Sequence, residues 1–222
     1  MSGQQSVSIQ LLGGIEAFMP RAWVEEFEEE FREIEKYPHV VMILIADRYC
    51  EEFRREDGRS LPGILDVIRL MEVYLSQGDE DCQNMIEVSF IESIYNDDAG
   101  LLSWIREHSG PNLRYEIMAF LANESGYRII NVLKALSLLQ GAEDLCRVFS
   151  NLAVVDQLRA MEIPFQNGRP LDPWGHPYKI EIVTVAGTSN RRLHVTSRCT
   201  LRGFGKDIVS IDELPDTSAP AP

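Results

Sequence analysis

The apolar positions of the chain change rhythm about two thirds of the way along. Trp23, Phe27, Phe31 and Ile34 recur at spacings of four, four and three, while Glu25, Glu26, Glu28, Glu29, Glu30, Glu33 and Glu35 fall on other faces. This spacing predicts an amphipathic helix with an acidic back. Pro38 in a first-turn position opens the next helix, with Val41, Ile45, Cys50 and Phe53 available for a core. Ser60-Leu61-Pro62 begins a third, with Ile64, Ile68, Met71 and Leu75 as its inner face and Gly78 as its stop. Asp79 is a good N-cap for a fourth helix, where Met85, Ile86, Phe90, Ile91, Ile94 and Tyr95 leave few polar positions; it is expected to be the most buried. Asp98 caps a short fifth helix through Trp104 to His108, and Pro111 opens a sixth through Leu121. Residues 1–20 hold no strong period and include Gly13, Gly14 and Pro20, so they are expected to form an arm with one short helix.

Successive helices with short joints and no strand alternation imply an antiparallel helical bundle over residues 21–122. Helical text continues through 123–160 as a connector, with Ile129 to Leu139 before Gly141 and Leu145 to Leu158 after it. A small antiparallel β unit follows over 161–214. Gln166-Asn167-Gly168 reads as a turn, Lys179 to Val185 alternates as a strand, and Gly187 to Asn190 reverses the chain into Arg192 to Thr196. Residues 215–222, with three prolines, read as a disordered tail. The fold class expected is therefore α+β.

The segment feeding the strand is Arg169-Pro170-Leu171-Asp172-Pro173-Trp174-Gly175-His176-Pro177-Tyr178. Asp172 and His176 each precede a proline and are biased toward extended backbone. Gly175 is the residue best able to take a positive φ. Asp172 can accept backbone N–H groups from the turn it begins, and Trp174 is expected in the core. These residues make a rigid structural corner, not a catalytic centre.

Charge separates the two parts. Met1–Ser125 holds 25 acids against 10 bases, about −15, whereas Gly126–Pro222 holds 10 acids against 11 bases, about +1. An acidic first part lacks the basic footprint that nucleic acid or an anionic membrane requires. It suits a basic protein partner, with Glu25, Glu26, Glu28, Glu29, Glu30 and Glu33 as the candidate partner-binding face. Cys50, Cys82, Cys146 and Cys199 are widely spaced, with no Cys-x-x-Cys pair, and read as reduced thiols. The N-terminus lacks a basic head, apolar core and cleavage site, and the apolar run Val40 to Ala46 is too short to span a bilayer. A cytoplasmic protein with no membrane insertion is expected.

Three stretches in the first part carry a family resemblance: Met71 to Asp81, with its Gly78-Asp79-Glu80; Val88 to Ile94, with its Glu92-Ser93; and Ile105 to Pro111, with its Gly110-Pro111. Residues 20–121 resemble the bacterial helical domain of unknown function DUF7674. That resemblance implies a helical domain found in settings like toxin–immunity loci, with no established reaction. Leu171 to Tyr178 resembles the Leu-Asp-Pro-Trp-Gly-Asn-Pro-Tyr segment of the type II secretion major pseudopilins, with His176 for Asn. The resemblance implies a sheet of pseudopilin type. It also implies a calcium loop, but between Ser197 and Ile208 Asp207 is the only carboxylate, while Arg198, Arg202 and Lys206 oppose a cation. No bound calcium is expected at Ser197 and Asp207. The prepilin cleavage motif and the long apolar N-terminal helix of that family are absent.

No other motif carries chemistry. His176 and His194 are the only histidines placed to meet, and they lack acids at ligand spacing. His-Glu-x-x-His, Gly-x-Ser-x-Gly and Walker segments do not occur, and Gly203-Phe204-Gly205 reads as a tight turn. Cys199 beside Arg198 and Arg202 reads as an inert thiol. The expectation is a non-enzymatic protein-binding protein without metal or cofactor. The first resemblance gives it the form of an immunity-type protein neutralising a basic toxin. The alternative, from the second, is a soluble structural or regulatory component related to secretion pseudopilins.

Overall fold

A computed structural model describes residues 6–55, 61–135, 151–184, 191–198 and 208–213. The chain divides into two compact units, Met1–Phe120 and Leu121–Pro222. The fold is α+β: the first unit is helical among its described residues, and the second holds two small antiparallel sheets beside helices.

The first unit contains α1 (Val7–Glu16), α2 (Arg21–Glu26), α3 (Glu28–Arg32), α4 (Pro38–Arg55), α5 (Ile64–Leu75), α6 (Glu80–Asn84), a π-helical segment (Met85–Ile91), α7 (Glu92–Asp97) and α8 (Ala99–His108). It also holds the first turns of α9 (Pro111–Ala135). The expected arm is part of the core: α1 packs on α4, α5 and α6, with Leu11, Leu12 and Ile15 fully buried. Gly13 and Gly14 obscure the helical period there, but Leu11, Leu12 and Ile15 still share one face.

The helix expected from Trp23 to Ile34 is broken. It separates into α2 and α3 at Phe27, where φ is −104° and ψ 23°. Only Trp23 of the stripe is buried, edge-on to Tyr49 with ring centroids 5.2 Å apart and with the Arg48 guanidinium 5.1 Å over its indole. Glutamates three and four apart on this stretch repel one another along a helix, which works against a continuous one. Pro38 and Pro111 open helices as expected, whereas the helix expected from Ser60-Leu61-Pro62 begins at Ile64. The Asp79 carboxylate accepts from Cys82 N at 2.8 Å and that of Asp98 from Leu101 N at 3.0 Å, so both cap as expected.

The stretch from Glu80 to Asp97 is indeed deeply buried, with Met85, Ile86, Phe90, Ile91 and Ile94 inaccessible. The π-helical turn over Met85–Ile91 lies outside what the apolar spacing indicates. Widening the helix by one residue per turn lets adjacent pairs such as Met85-Ile86 and Phe90-Ile91 both face inward, and this segment packs chiefly on α4. Glu72 of α5 joins the stretches around residues 71 and 111. One carboxylate oxygen accepts from Asn112 N at 2.7 Å and Asn112 Nδ2 at 2.8 Å; the other accepts from Leu113 N at 2.9 Å. A negative group thus satisfies the free N–H groups that open α9.

In the second unit α9 continues to Ala135, so the expected end of the bundle near residue 122 is not a helix boundary. Then come α10 (Leu152–Ala160), β1 (Phe165–Gln166), β2 (Arg169–Pro170), β3 (Lys179–Thr184), β4 (Arg191–Ser197) and β5 (Ile208–Glu213). β1 and β2 form a hairpin around Asn167 and Gly168, both at positive φ. β3 and β4 pair antiparallel as expected. β5, a strand not singled out within the expected β unit, completes a three-stranded sheet in the order β3-β4-β5. One core joins Ile129, Ile130, Val132 and Leu133 of α9, Val154 and Leu158 of α10, and Leu193 and Val195 of β4. The expected tail at 215–222, Leu136 to Phe149 of the connector, Cys146, Cys199, Gly203-Phe204-Gly205 and Asp207 lie outside the described residues.

Candidate binding site

The break between α2 and α3 sets the geometry of the acidic face. The chain leaves α3 through a turn in which Lys36 N and Tyr37 N donate to Glu33 O, and re-enters helix at Pro38. Glu29, Glu30, Arg32, Glu33, Tyr37, Val40 and Val41 thereby line a concavity of about 390 Å³. That lies at the small end of the ~300–1,000 Å³ usual for ligand pockets. Val41 is buried as its floor, whereas Tyr37 and Val40 are 55% and 47% exposed.

Of the six glutamates expected to face a partner, the structure brings Glu29, Glu30 and Glu33 to this concavity. Glu25 is occupied by Arg21 at 2.8 Å and Glu28 by Arg32 at 2.7 Å. Glu26 stands 3.9 Å from Arg48, and Glu33 meets Lys36 at 2.9 Å. Among the described residues Glu29 and Glu30 have no ion pair, so their charge is uncompensated. Tyr37 and Val40, which the charge pattern did not single out, supply the apolar wall. The signal for them was an aromatic just before a helix-opening proline, followed by a valine pair.

A second acidic feature lies inside the first unit. Glu116 of α9 is 7% exposed and accepts from Gln83 Nε2 at 3.0 Å. Burial pushes its carboxyl up to about 7, against the Gln83 hydrogen bond and helped by Glu87, whose own carboxyl is raised by burial and by Glu92. The folded chain therefore holds a proton on Glu116 that the unfolded chain releases above its ordinary value of 4.5. Stability is expected to fall as pH rises from about 4.5 to about 7, by on the order of 3 kcal/mol at most. Glu116→Gln cannot ionise, so urea unfolding of that variant across this window is expected to lose most of the slope and to exceed the unmodified chain in stability above pH 7.

The corner in the second unit is built around one carboxylate. Asp172 Oδ1 accepts from Trp174 N at 3.0 Å and His176 N at 2.8 Å, closing the turn as expected. Its Oδ2 accepts from Ser197 Oγ at 2.7 Å and Arg198 N at 3.2 Å, tying the corner to the end of β4. Gly175 takes φ +82°, and Leu171 bridges Pro177 across the turn. Tyr178 is buried and its hydroxyl donates to Ala122 O at 3.0 Å; burial raises its phenol far above the ordinary range. Pro173 is half-buried and Pro177 exposed. Trp174, expected in the core, is only half-buried, and its Nε1 has no hydrogen-bond partner among the described residues.

The histidines are dispersed. His39 Nδ1 lies 2.6 Å from Ser89 Oγ, and His108 stacks on Trp104 with its Nδ1 2.7 Å from Trp104 O. His176 Nδ1 is 3.8 Å from Asp172 Oδ1, and His194 lies opposite Glu181 and Ile211 in the sheet. Among the described residues no three His, Cys, Asp or Glu side chains are placed to hold a metal ion, and Ser197 is committed to Asp172. The Cys50 and Cys82 thiols are pushed up to about 12 and about 11, chiefly by burial, so they are not nucleophiles near neutral pH. No helix among the described residues is long and apolar enough to cross a membrane. No curated protein and no solved structure matches the chain. Residues 21–123 match the family described as Domain of unknown function (DUF7674), in keeping with the stretches around Gly78, Glu92 and Gly110.

Proposed function

We propose that this protein is a non-enzymatic protein-binding protein whose acidic helical unit recognises a basic protein, in the manner of an immunity protein neutralising a cationic toxin. The observation that supports it is the acid-lined concavity at Glu29 and Glu30, which have no ion pair among the described residues, within a part of the chain carrying about −15. Charge of this kind steers encounter with a cationic surface and makes association strongly dependent on salt. The full-length chain, immobilised and challenged with proteins of its own source at about 50 mM salt, is expected to retain a basic partner and to release it within a few hundred millimolar. Charge reversal by Glu29→Lys with Glu30→Lys is expected to reduce retention at least tenfold. Retention of only neutral or acidic proteins, unaffected by salt, would sink the reading.

The corner from Leu171 to Tyr178 favours a second reading, a structural or regulatory component related to secretion pseudopilins. Its Asp172-centred turn leads directly into a small antiparallel sheet. Recovery of pseudopilins or inner-membrane assembly proteins in the same experiment selects it over the first.

A further inference from the structure

We infer that the concavity between α3 and the start of α4 is a receptor for a single arginine side chain flanked by an apolar residue, presented by the partner. The inference rests on the binding reading above and names the chemistry of its occupant.

The walls differ in kind, and each matches one part of that occupant. Glu29 and Glu30 offer carboxylates that make no ion pair among the described residues, whereas the cation in the lining, Arg32, pairs with Glu28 at 2.7 Å. With Glu29, Glu30 and Glu33 against Arg32, the lining is net negative and complements an external cation. Tyr37, 55% exposed, puts an aromatic ring beside those carboxylates. A planar guanidinium can stack on a ring while its edge donates to carboxylates; an ammonium is a compact, strongly hydrated charge and gains less from that pair of neighbours. Val40 and Val41 supply apolar surface for the methylene stem. At about 390 Å³ the space exceeds a lone side chain, which leaves room for an apolar neighbour against the 47% exposed Val40.

The test uses three capped tripeptide amides, Leu-Arg-Leu, Leu-Lys-Leu and Leu-citrulline-Leu, titrated into the full-length chain at low salt and followed by backbone amide shifts. The arginine peptide is expected to move amides from Glu29 to Val41, to bind at least fivefold more tightly than the lysine peptide and to outbind the neutral citrulline peptide by more than tenfold. Glu29→Gln with Glu30→Gln is expected to weaken it at least tenfold. Tyr37→Leu, with an otherwise unchanged amide spectrum, is expected to bring arginine and lysine to parity. Equal binding of the citrulline peptide, or indifference to the double glutamine variant, overturns the inference. Concentration-dependent broadening of the groove amides without peptide also overturns it, by showing a second copy as the occupant. If the arginine peptide moves other amides of the acidic unit and leaves the groove still, the groove assignment fails while basic-partner recognition stands. If none moves, both fall.

Discussion

Asp172→Ala is expected to unfold the second unit at markedly lower denaturant, with a loss of about 4 kcal/mol. The Asp172 side chain is fully inaccessible and accepts four hydrogen bonds, from Trp174 N, His176 N, Ser197 Oγ and Arg198 N. Removing the acceptor leaves several donors unpaired, each costing about 1–3 kcal/mol before relaxation and water entry, while relief of the desolvation cost of a buried charge returns part of that sum. Asp172→Asn is a milder change. Its carbonyl can serve Trp174 and His176 and its amide can donate to Ser197 Oγ, but the amide opposes Arg198 N. A loss of about half as much is expected. Urea unfolding followed by tryptophan fluorescence checks both, because Trp174 reports the corner while Trp23 and Trp104 report the first unit. Unfolding free energies within about 0.5 kcal/mol of the unmodified chain would show that the carboxylate is not what holds the corner to β4.

The second large effect is expected at Gly126, in the middle of α9. A Cβ built there lies 2.1 Å from Ser210 Oγ and 2.8 Å from Ser210 Cβ. Ser210 cannot swing away cheaply: it is 1% exposed, and its hydroxyl is within 3.1 Å of both Asn123 O and Asn123 Oδ1. Gly126→Ala should therefore push β5 off the helix. Overpacking of about 1–3 kcal/mol and weakened Ser210 hydrogen bonds of about 1 kcal/mol outweigh the roughly 1 kcal/mol that alanine contributes to helix propensity. The net loss is about 2 kcal/mol. Combining it with Ser210→Gly is expected to recover most of that loss, since the clash needs both side chains. A double variant less stable than Gly126→Ala alone would locate the cost elsewhere.

Both positions lie where local text and distant partners meet. Asp172 is legible as the first residue of its turn, because Asx residues before proline habitually accept from the backbone that follows. Its second oxygen is not legible, because Ser197 and Arg198 are twenty-five and twenty-six residues away. Gly126 within α9 carries no local signal, since a lone glycine inside helical text reads only as a weak point. The strand that requires it, β5, is itself short and bordered by Gly203, Gly205 and Lys206, so its pairing depends on β4. On the candidate site, the acids were evident from composition alone. Which of them stay unpaired follows from side chains three and four residues away on short helices: Arg21 takes Glu25, Arg32 takes Glu28 and Lys36 takes Glu33.

By itself the sequence determined the positions of the caps at Asp79 and Asp98, the helix-opening prolines at 38 and 111, the turn at Asp172–Gly175 and the concentration of negative charge in the first part. Each of these follows from interactions within a few residues, or from a sum over residues that no fold alters. Tertiary structure decided the rest. It brought α1 into the core, widened the helix at Met85–Ile91, and completed the sheet with β5. Those outcomes turn on which apolar surface finds a partner to cover it. Packing energy gathered from several distant elements exceeds the few tenths of a kilocalorie by which local propensity distinguishes one backbone state from another.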